Sequence, residues 1–204
     1  MAHGAGALAL LAAAGIDEGT DVGLGLLTGD PLTAAETYVA HTGRATLPPY
    51  LGFVSNLGCT LWCAAAAVSA LTAMVLHKRR RQRLGGGTDV KFFAHAAALG
   101  ALLLVDDLFM LHDGILPAVL SVPELVTLSA IGLVASAHLI HWRTRILRTE
   151  WLPLALALAS FALAIGIDLW PGGNSVSAVA TEAAKLNGII GWTLYHVRCA
   201  WRVL

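Results

Sequence analysis

Five apolar stretches, each about as long as a membrane span, dominate this chain of 204 residues. An α-helix needs about 20 predominantly apolar residues to cross the hydrocarbon core of a bilayer. We place such helices, numbered here as spans one to five, at residues 51–76, 91–113, 122–142, 151–170 and 178–200. The sequence therefore predicts an all-α fold, a polytopic membrane bundle with about five transmembrane helices.

The composition agrees with a membrane location. Hydrophobic residues make up 57% of the chain and charged residues only 13%, whereas a soluble domain usually carries about 25% charged residues. Three cysteines, Cys59, Cys63 and Cys199, are too few for a disulfide framework. Ten Arg against three Lys, with abundant Ala and Gly, suggest a bacterial source.

Basic residues predict the orientation. Eleven of the thirteen Lys and Arg fall between spans one and two or at the first position of span two, between spans three and four, or at the end of span five. Under the positive-inside rule these places are cytoplasmic. Residues 1–50 then form an extracytoplasmic segment, a loop or an interfacial helix, and residues 51–204 form the bundle. We expect a multi-pass protein of the bacterial inner membrane with a cytoplasmic C-terminus.

Span two carries four ionisable residues within its last nine positions: Asp106, Asp107, His112 and Asp113, counted from Val105. Such groups inside a membrane segment cost roughly 2.5–3.5 kcal/mol each on insertion scales and are usually retained for function. In a regular helix Asp106 and Asp113 share a face, and His112 points about 120° away. A site built on this helix therefore needs neighbours to complete it.

Acidic residues of other spans are predicted at the same level. Asp168 ends span four, Glu182 lies in span five one turn from Lys185, and Glu124 opens span three. Carboxylates this close in a low dielectric require either protonation or a cation. We predict Asp106, Asp107 and Glu182 as catalytic residues. The candidate ligands of a divalent metal are Asp106, Asp107, His112, Asp113, Asp168 and Glu182.

Structural roles are open for several of these residues. Glu182 and Lys185 can neutralise each other, and Asp113, His112 and Glu124 can be solvated at the interface. Asp168 can flank the loop that follows it.

A second group of histidines falls at the predicted cytoplasmic end: His77, His95, His138, His141 and His196. A haem or metal role is conceivable there. Histidines at such positions more usually form hydrogen bonds at helix ends or extend their polar ring atoms to the membrane interface.

The motif Asp-Asp-x4-His-Asp of span two is followed in span five by Glu182-x2-Lys185-x2-Gly188-x3-Trp192. This pattern resembles a loose group of small multi-pass bacterial membrane proteins, mostly without an assigned function. The resemblance covers spans two to five and implies that the two motifs belong to one site.

Three functions fit these observations. The first is an integral membrane enzyme that acts on a lipid or isoprenoid, either with a metal-bound water or by acid–base catalysis between carboxyl groups. The second is a proton or cation transporter or channel component. The third is an accessory subunit of a larger membrane complex. Membrane lipid is the expected partner, with a homo-oligomer or larger complex also possible, and no nucleic acid is expected.

Overall fold

A computed structural model describes residues 23–81, 87–170 and 175–204, and this part of the chain is helical without strands. The predicted all-α class is confirmed. In chain order the helices are α1 (Gly23–Thr28), α2 (Pro31–Thr42), α3 (Phe53–Arg81), α4 (Gly87–Phe109), a π-turn (Leu111–Ile115), α5 (Leu116–Leu120), α6 (Glu124–Ile146), α7 (Leu152–Asp168) and α8 (Ser175–Val203).

Three helices of the described chain are long and apolar enough to cross a membrane: α3, α4 and α6. Helix α7 has 17 residues and is apolar but shorter. A membrane protein is therefore supported, while the count of five spans and the orientation of the termini stay predictions. Within the predicted N-terminal segment the structure describes α1 and α2, and residues 1–22 lie outside the described part.

Span two ends earlier than predicted. The sequence placed its end at residue 113, but α4 ends at Phe109 and a π-turn follows. Pro117 lies in the first turn of α5, where its missing N–H costs no hydrogen bond. Pro123 is in extended conformation directly before α6, so the helix begins where a proline can precede it. The prolines therefore account for the short helix α5 between two longer ones.

The chain divides into two compact units. The first comprises Met1–Gly58 and Leu154–Gly191, and the second comprises Cys59–Pro153 and Trp192–Leu204. In the first unit α7 and α8 approach closely at Gly188, where an added Cβ would lie 2.6 Å from Cε1 of Phe161. The Asn187 amide donates a hydrogen bond to the Ser160 hydroxyl nearby, at 2.7 Å. Glycine at position 188 is thus required by packing.

In the second unit α3 packs against α4 and α8. An added Cβ at Gly100 of α4 would lie 3.2 Å from the Cβ of Ala66 of α3. The Thr193 hydroxyl of α8 donates to the carbonyl of Leu61 at 3.2 Å. Small residues at helix contacts let backbones approach in an apolar medium, where dispersion contacts replace the hydrophobic effect as the driving force.

Candidate functional site

The end of α4 contains an unusual backbone conformation. Met110 has φ 48° and ψ 49°, the left-handed region that residues other than Gly, Asn and Asp rarely adopt. The amide of Ile115 then donates to the carbonyl of Met110 at 3.0 Å, which closes a π-type turn. Gly114 lies over this turn, since an added Cβ there would approach the Cβ of Met110 to 3.3 Å. π-Turns and strained residues occur often at functional sites.

The turn brings His112 against Asp106. Nδ1 of His112 lies 2.9 Å from Oδ2 of Asp106, and the two side chains are 18% and 10% exposed. We call this pair the Asp106–His112 dyad. The prediction that His112 points away from Asp106 is therefore wrong. It assumed a continuous α-helix, in which six residues leave two side chains about 120° apart, and Met110 interrupts that helix.

The hydrogen bond of the dyad orients both groups. When Nδ1–H donates to the Asp106 carboxylate, the imidazole tautomer is fixed with its acceptor lone pair at Nε2. The other oxygen of Asp106, Oδ1, is buried and has no hydrogen-bond partner among the described residues. A buried acceptor without a partner carries a desolvation cost and calls for an explanation. This atom is the point in the site at which a further group is expected.

Asp107 makes a different contact. The thiol of Cys59 on α3 donates to its Oδ2 at 3.7 Å, a distance appropriate to sulfur. Cys59 was not among the predicted site residues, because nothing in the spacing of Cys59 and Cys63 points to α4. The two adjacent carboxylates thus face different partners, and all three cysteines are free thiols.

Asp113 and Glu124 are exposed. The prediction that Asp113 shares a face with Asp106 is wrong in this structure, because the π-turn shifts the helical phase between them. Asp106 is buried, and Asp113 is not.

The remaining predicted site residues belong to the first unit. Glu182 forms an ion pair with Lys185, with 2.9 Å between Oε1 and Nζ, as the neutralisation reading expected. Asp168 is exposed at the end of α7. Their participation in a site with Asp106 stays a prediction.

A metal centre is not assembled within the described ranges. Across residues 23–81, 87–170 and 175–204, no three His, Cys, Asp or Glu side chains are grouped so that they could hold a metal ion. Of the predicted ligands, Asp106 pairs with His112, and Glu182 pairs with Lys185, which is not a predicted ligand. The divalent-metal assignment therefore has no support from this arrangement.

The predicted histidine group at the opposite end of α4 is built around Phe92. The ring of Phe92 stacks on His196 at 6.3 Å and contacts His138 at 5.8 Å, both between ring centroids. The guanidinium of Arg145 lies 3.7 Å from the centroid of Phe92, and its Nε donates to Asp89 at 2.8 Å. Packing and hydrogen bonding therefore account for these rings.

His196 is the most enclosed member of this group. It is 1% exposed, and its Nδ1 lies 2.9 Å from the carbonyl oxygen of Trp192. Its Nε2 has no hydrogen-bond partner within the described part of the chain. His95 accepts a hydrogen bond from the Trp142 indole at 3.2 Å. The histidines thus serve separate contacts and do not converge on one point.

Comparison with known proteins yields a family and no individual relative. No curated protein and no solved structure matches the chain. A family model matches residues 4–199, which is nearly the whole sequence. The chain therefore belongs to the family described as a domain of unknown function, DUF8692.

Proposed function

We propose that this protein is an integral membrane enzyme in which the Asp106–His112 dyad performs acid–base chemistry on a lipid or isoprenoid substrate. The single observation that supports it is the 2.9 Å contact between Nδ1 of His112 and Oδ2 of the buried Asp106. A carboxylate that holds an imidazole in one tautomer is a recurring arrangement for a general base. His112 would accept a proton at Nε2, and Asp106 would stabilise the resulting imidazolium.

The backbone around the dyad favours function over packing. A left-handed conformation costs a residue such as Met110 roughly 1–2 kcal/mol. Continuing α4 as a regular helix would avoid that cost, but it would also move His112 away from Asp106. Strain that persists at a polar site is commonly part of its mechanism.

The surroundings favour a substrate that arrives through lipid. Large apolar side chains on the helices that flank the π-turn are well exposed, including Phe109 at 52%, Val119 at 72% and Leu125 at 71%. In a bilayer such surfaces face acyl chains. Lys78–Arg81 lie in the last turn of α3, and α4 starts on the same side. The positive-inside rule makes that side cytoplasmic, so the far end of α4, which carries the dyad, would lie near the outer leaflet.

Lipid turnover tests the proposal. The purified protein in nanodiscs would be incubated with a mixed extract of polar lipids and polyprenyl phosphates, and products followed by mass spectrometry. We expect His112→Gln and Asp106→Asn to lower product formation by about 100-fold or more. Glu124→Gln, which alters an exposed carboxylate at the start of α6, should keep wild-type turnover. Full turnover in His112→Gln would rule out the dyad as the acid–base group.

A metal-dependent version of this enzyme would add Asp107, Asp113, Asp168 or Glu182 to the dyad as ligands of a divalent ion. Elemental analysis of the purified protein separates the two versions. A stoichiometric metal that is lost in Asp107→Ala supports the metal version, and its absence from both proteins supports acid–base catalysis alone.

A proton path is the second candidate, favoured by the buried and unpartnered Nε2 of His196 at the other end of the second unit. Proton flux into liposomes that depends on both Asp106 and His196 would support it. The accessory-subunit alternative would be supported if fixed partner proteins co-purify with the chain.

A further inference from the structure

Two buried side-chain oxygens, one in the dyad and one on α6, have no hydrogen-bond partner among the described residues. One is Oδ1 of Asp106, and the other is the hydroxyl Oγ1 of Thr127, in the first turns of α6. Thr127 was not singled out in the sequence, since a threonine in an apolar helix carries no signal of its own. Buried hydroxyl and carboxylate oxygens are rarely left unpaired in folded proteins.

Helix register places the two residues that carry these oxygens at the same level along α4 and α6. Helices α4 and α6 run antiparallel and are joined by the hydrogen bond from Arg145 to Asp89. Asp106 lies 17 residues beyond Asp89, and Thr127 lies 18 residues before Arg145. At about 1.5 Å per residue these separations are about 26 Å and 27 Å. Thr127 and Asp106 therefore lie at about the same level along the two helices.

The inner faces of the helices agree with this register. On α4 the buried residues Phe92, Leu99 and Asp106 recur every seven positions and thus share one face. Phe92 of that face contacts both His138 and Trp142 of α6. Between positions 127 and 142 of α6, Thr127, Ile131, Ala135 and His138 are not fully exposed. They are three or four residues apart, so Thr127 lies on the same face of α6 as His138.

We propose that Asp106 Oδ1 and Thr127 Oγ1 together bind one hydroxyl group, that of a water molecule or of a lipid alcohol. The bound hydroxyl would donate to Oδ1 of Asp106 and accept from the Thr127 hydroxyl. Asp106 meanwhile accepts from His112 through Oδ2, so its carboxylate would connect the bound hydroxyl to the imidazole. The binding rests on the shared level of the two residues and on their unpartnered oxygens, and the assignment of the hydroxyl to a substrate rests on the proposed function.

The two sources of the hydroxyl lead to different roles. A bound water would hold the Asp106 carboxylate, and through it the imidazole of His112, in position, and a lipid alcohol would anchor the headgroup of a substrate beside the dyad. Phosphatidylglycerol carries headgroup hydroxyls and phosphatidylcholine carries none, so nanodiscs of each lipid separate the sources.

Infrared spectroscopy of the protein in nanodiscs tests the binding directly. The carboxylate band of Asp106 is identified by its loss in Asp106→Asn. We expect this band to shift in Thr127→Val, which keeps the side-chain shape but lacks the hydroxyl, and to hold its wild-type position in Thr127→Ser. Ser129→Ala removes an exposed hydroxyl from the same helix and is the matched control. If Thr127→Val does not fold, Thr127→Ala provides the same comparison.

The bound group is identified in the same samples. A water gives an O–D stretch that moves between D₂O and D₂¹⁸O and disappears in Thr127→Val, in either lipid. A lipid alcohol gives an Asp106 band that differs between phosphatidylglycerol and phosphatidylcholine. An Asp106 band that is unmoved in Thr127→Val, or one that moves without either signature, overturns the proposal. Lipid turnover is measured separately, so failure of the enzyme hypothesis leaves this result independent.

Discussion

Asp106 and His112 are six residues apart in the chain, and 2.9 Å separates their side-chain atoms Oδ2 and Nδ1. The left-handed Met110 between them makes this contact possible, because it ends α4 and starts the π-turn that carries His112 back. The contact is local in sequence, yet it needs a backbone conformation that a regular helix lacks. Its energy and its geometry can therefore be tested separately.

The energy of the dyad is tested by a double-mutant cycle. We expect His112→Gln to destabilise the protein by about 2 kcal/mol, because it leaves a buried carboxylate oxygen without its partner. The coupling between His112→Gln and Asp106→Asn should be about 1–2 kcal/mol, measured by thermal unfolding in detergent. The Glu182–Lys185 pair is the control: it has the same 2.9 Å length but side chains that are 24% and 49% exposed. Its coupling should not exceed about 0.5 kcal/mol, and equal couplings would contradict a special role of burial.

The left-handed backbone conformation at position 110 is tested by substituting residues that differ in their tolerance for positive φ. Met110→Gly should hold the protein at or slightly above wild-type stability, because glycine adopts the left-handed region without a steric cost. Met110→Val should lose about 2 kcal/mol, since a β-branched residue opposes this conformation. Met74→Val, on the exposed face of α3, should change stability by less than about 0.5 kcal/mol. A fully stable Met110→Val would show that position 110 can adopt an ordinary helical conformation.

The sequence predicted the helices well because hydrophobic length is a local property. Each of the five predicted spans contains one long helix, with ends that differ by a few residues. Asp106 also stood out in the sequence, because a carboxylate deep in an apolar helix is costly wherever its neighbours lie. Its burial is confirmed.

The partners of the site residues were harder to predict. His112 was placed on the wrong face because a π-turn has no clear signal in spacing, and only Gly114 and Pro117 hinted that the helix does not continue. Cys59 is held near Asp107 by the packing of α3 on α4, and the level of Thr127 depends on how α6 packs on α4. A single sequence specifies neither. Pairing across helices depends on tertiary register, and local patterns do not encode it.

The close contact of α7 and α8 predicts a size limit at Gly188. Gly188→Ala should destabilise the protein by about 1–3 kcal/mol, because the new Cβ would lie 2.6 Å from Cε1 of Phe161. Gly132→Ala is the control, since nothing lies within 4 Å of a Cβ at that position. It should be neutral or stabilising by up to about 1 kcal/mol through helix propensity. Phe161→Leu should recover part of the loss in Gly188→Ala, and no recovery would place the clash elsewhere.

Arg145 is predicted to require the shape of its guanidinium as well as its charge. Its Cζ lies 3.7 Å from the ring centroid of Phe92, and its Nε donates to Asp89 at 2.8 Å. Lysine keeps the charge but has no planar group that could stack on the ring while its edge donates to a carboxylate. We expect Arg145→Lys to lose about 1–2 kcal/mol in thermal unfolding. Arg143→Lys, two residues away and exposed, should change stability by less than about 0.5 kcal/mol. Equal effects of the two substitutions would mean that charge alone matters at position 145.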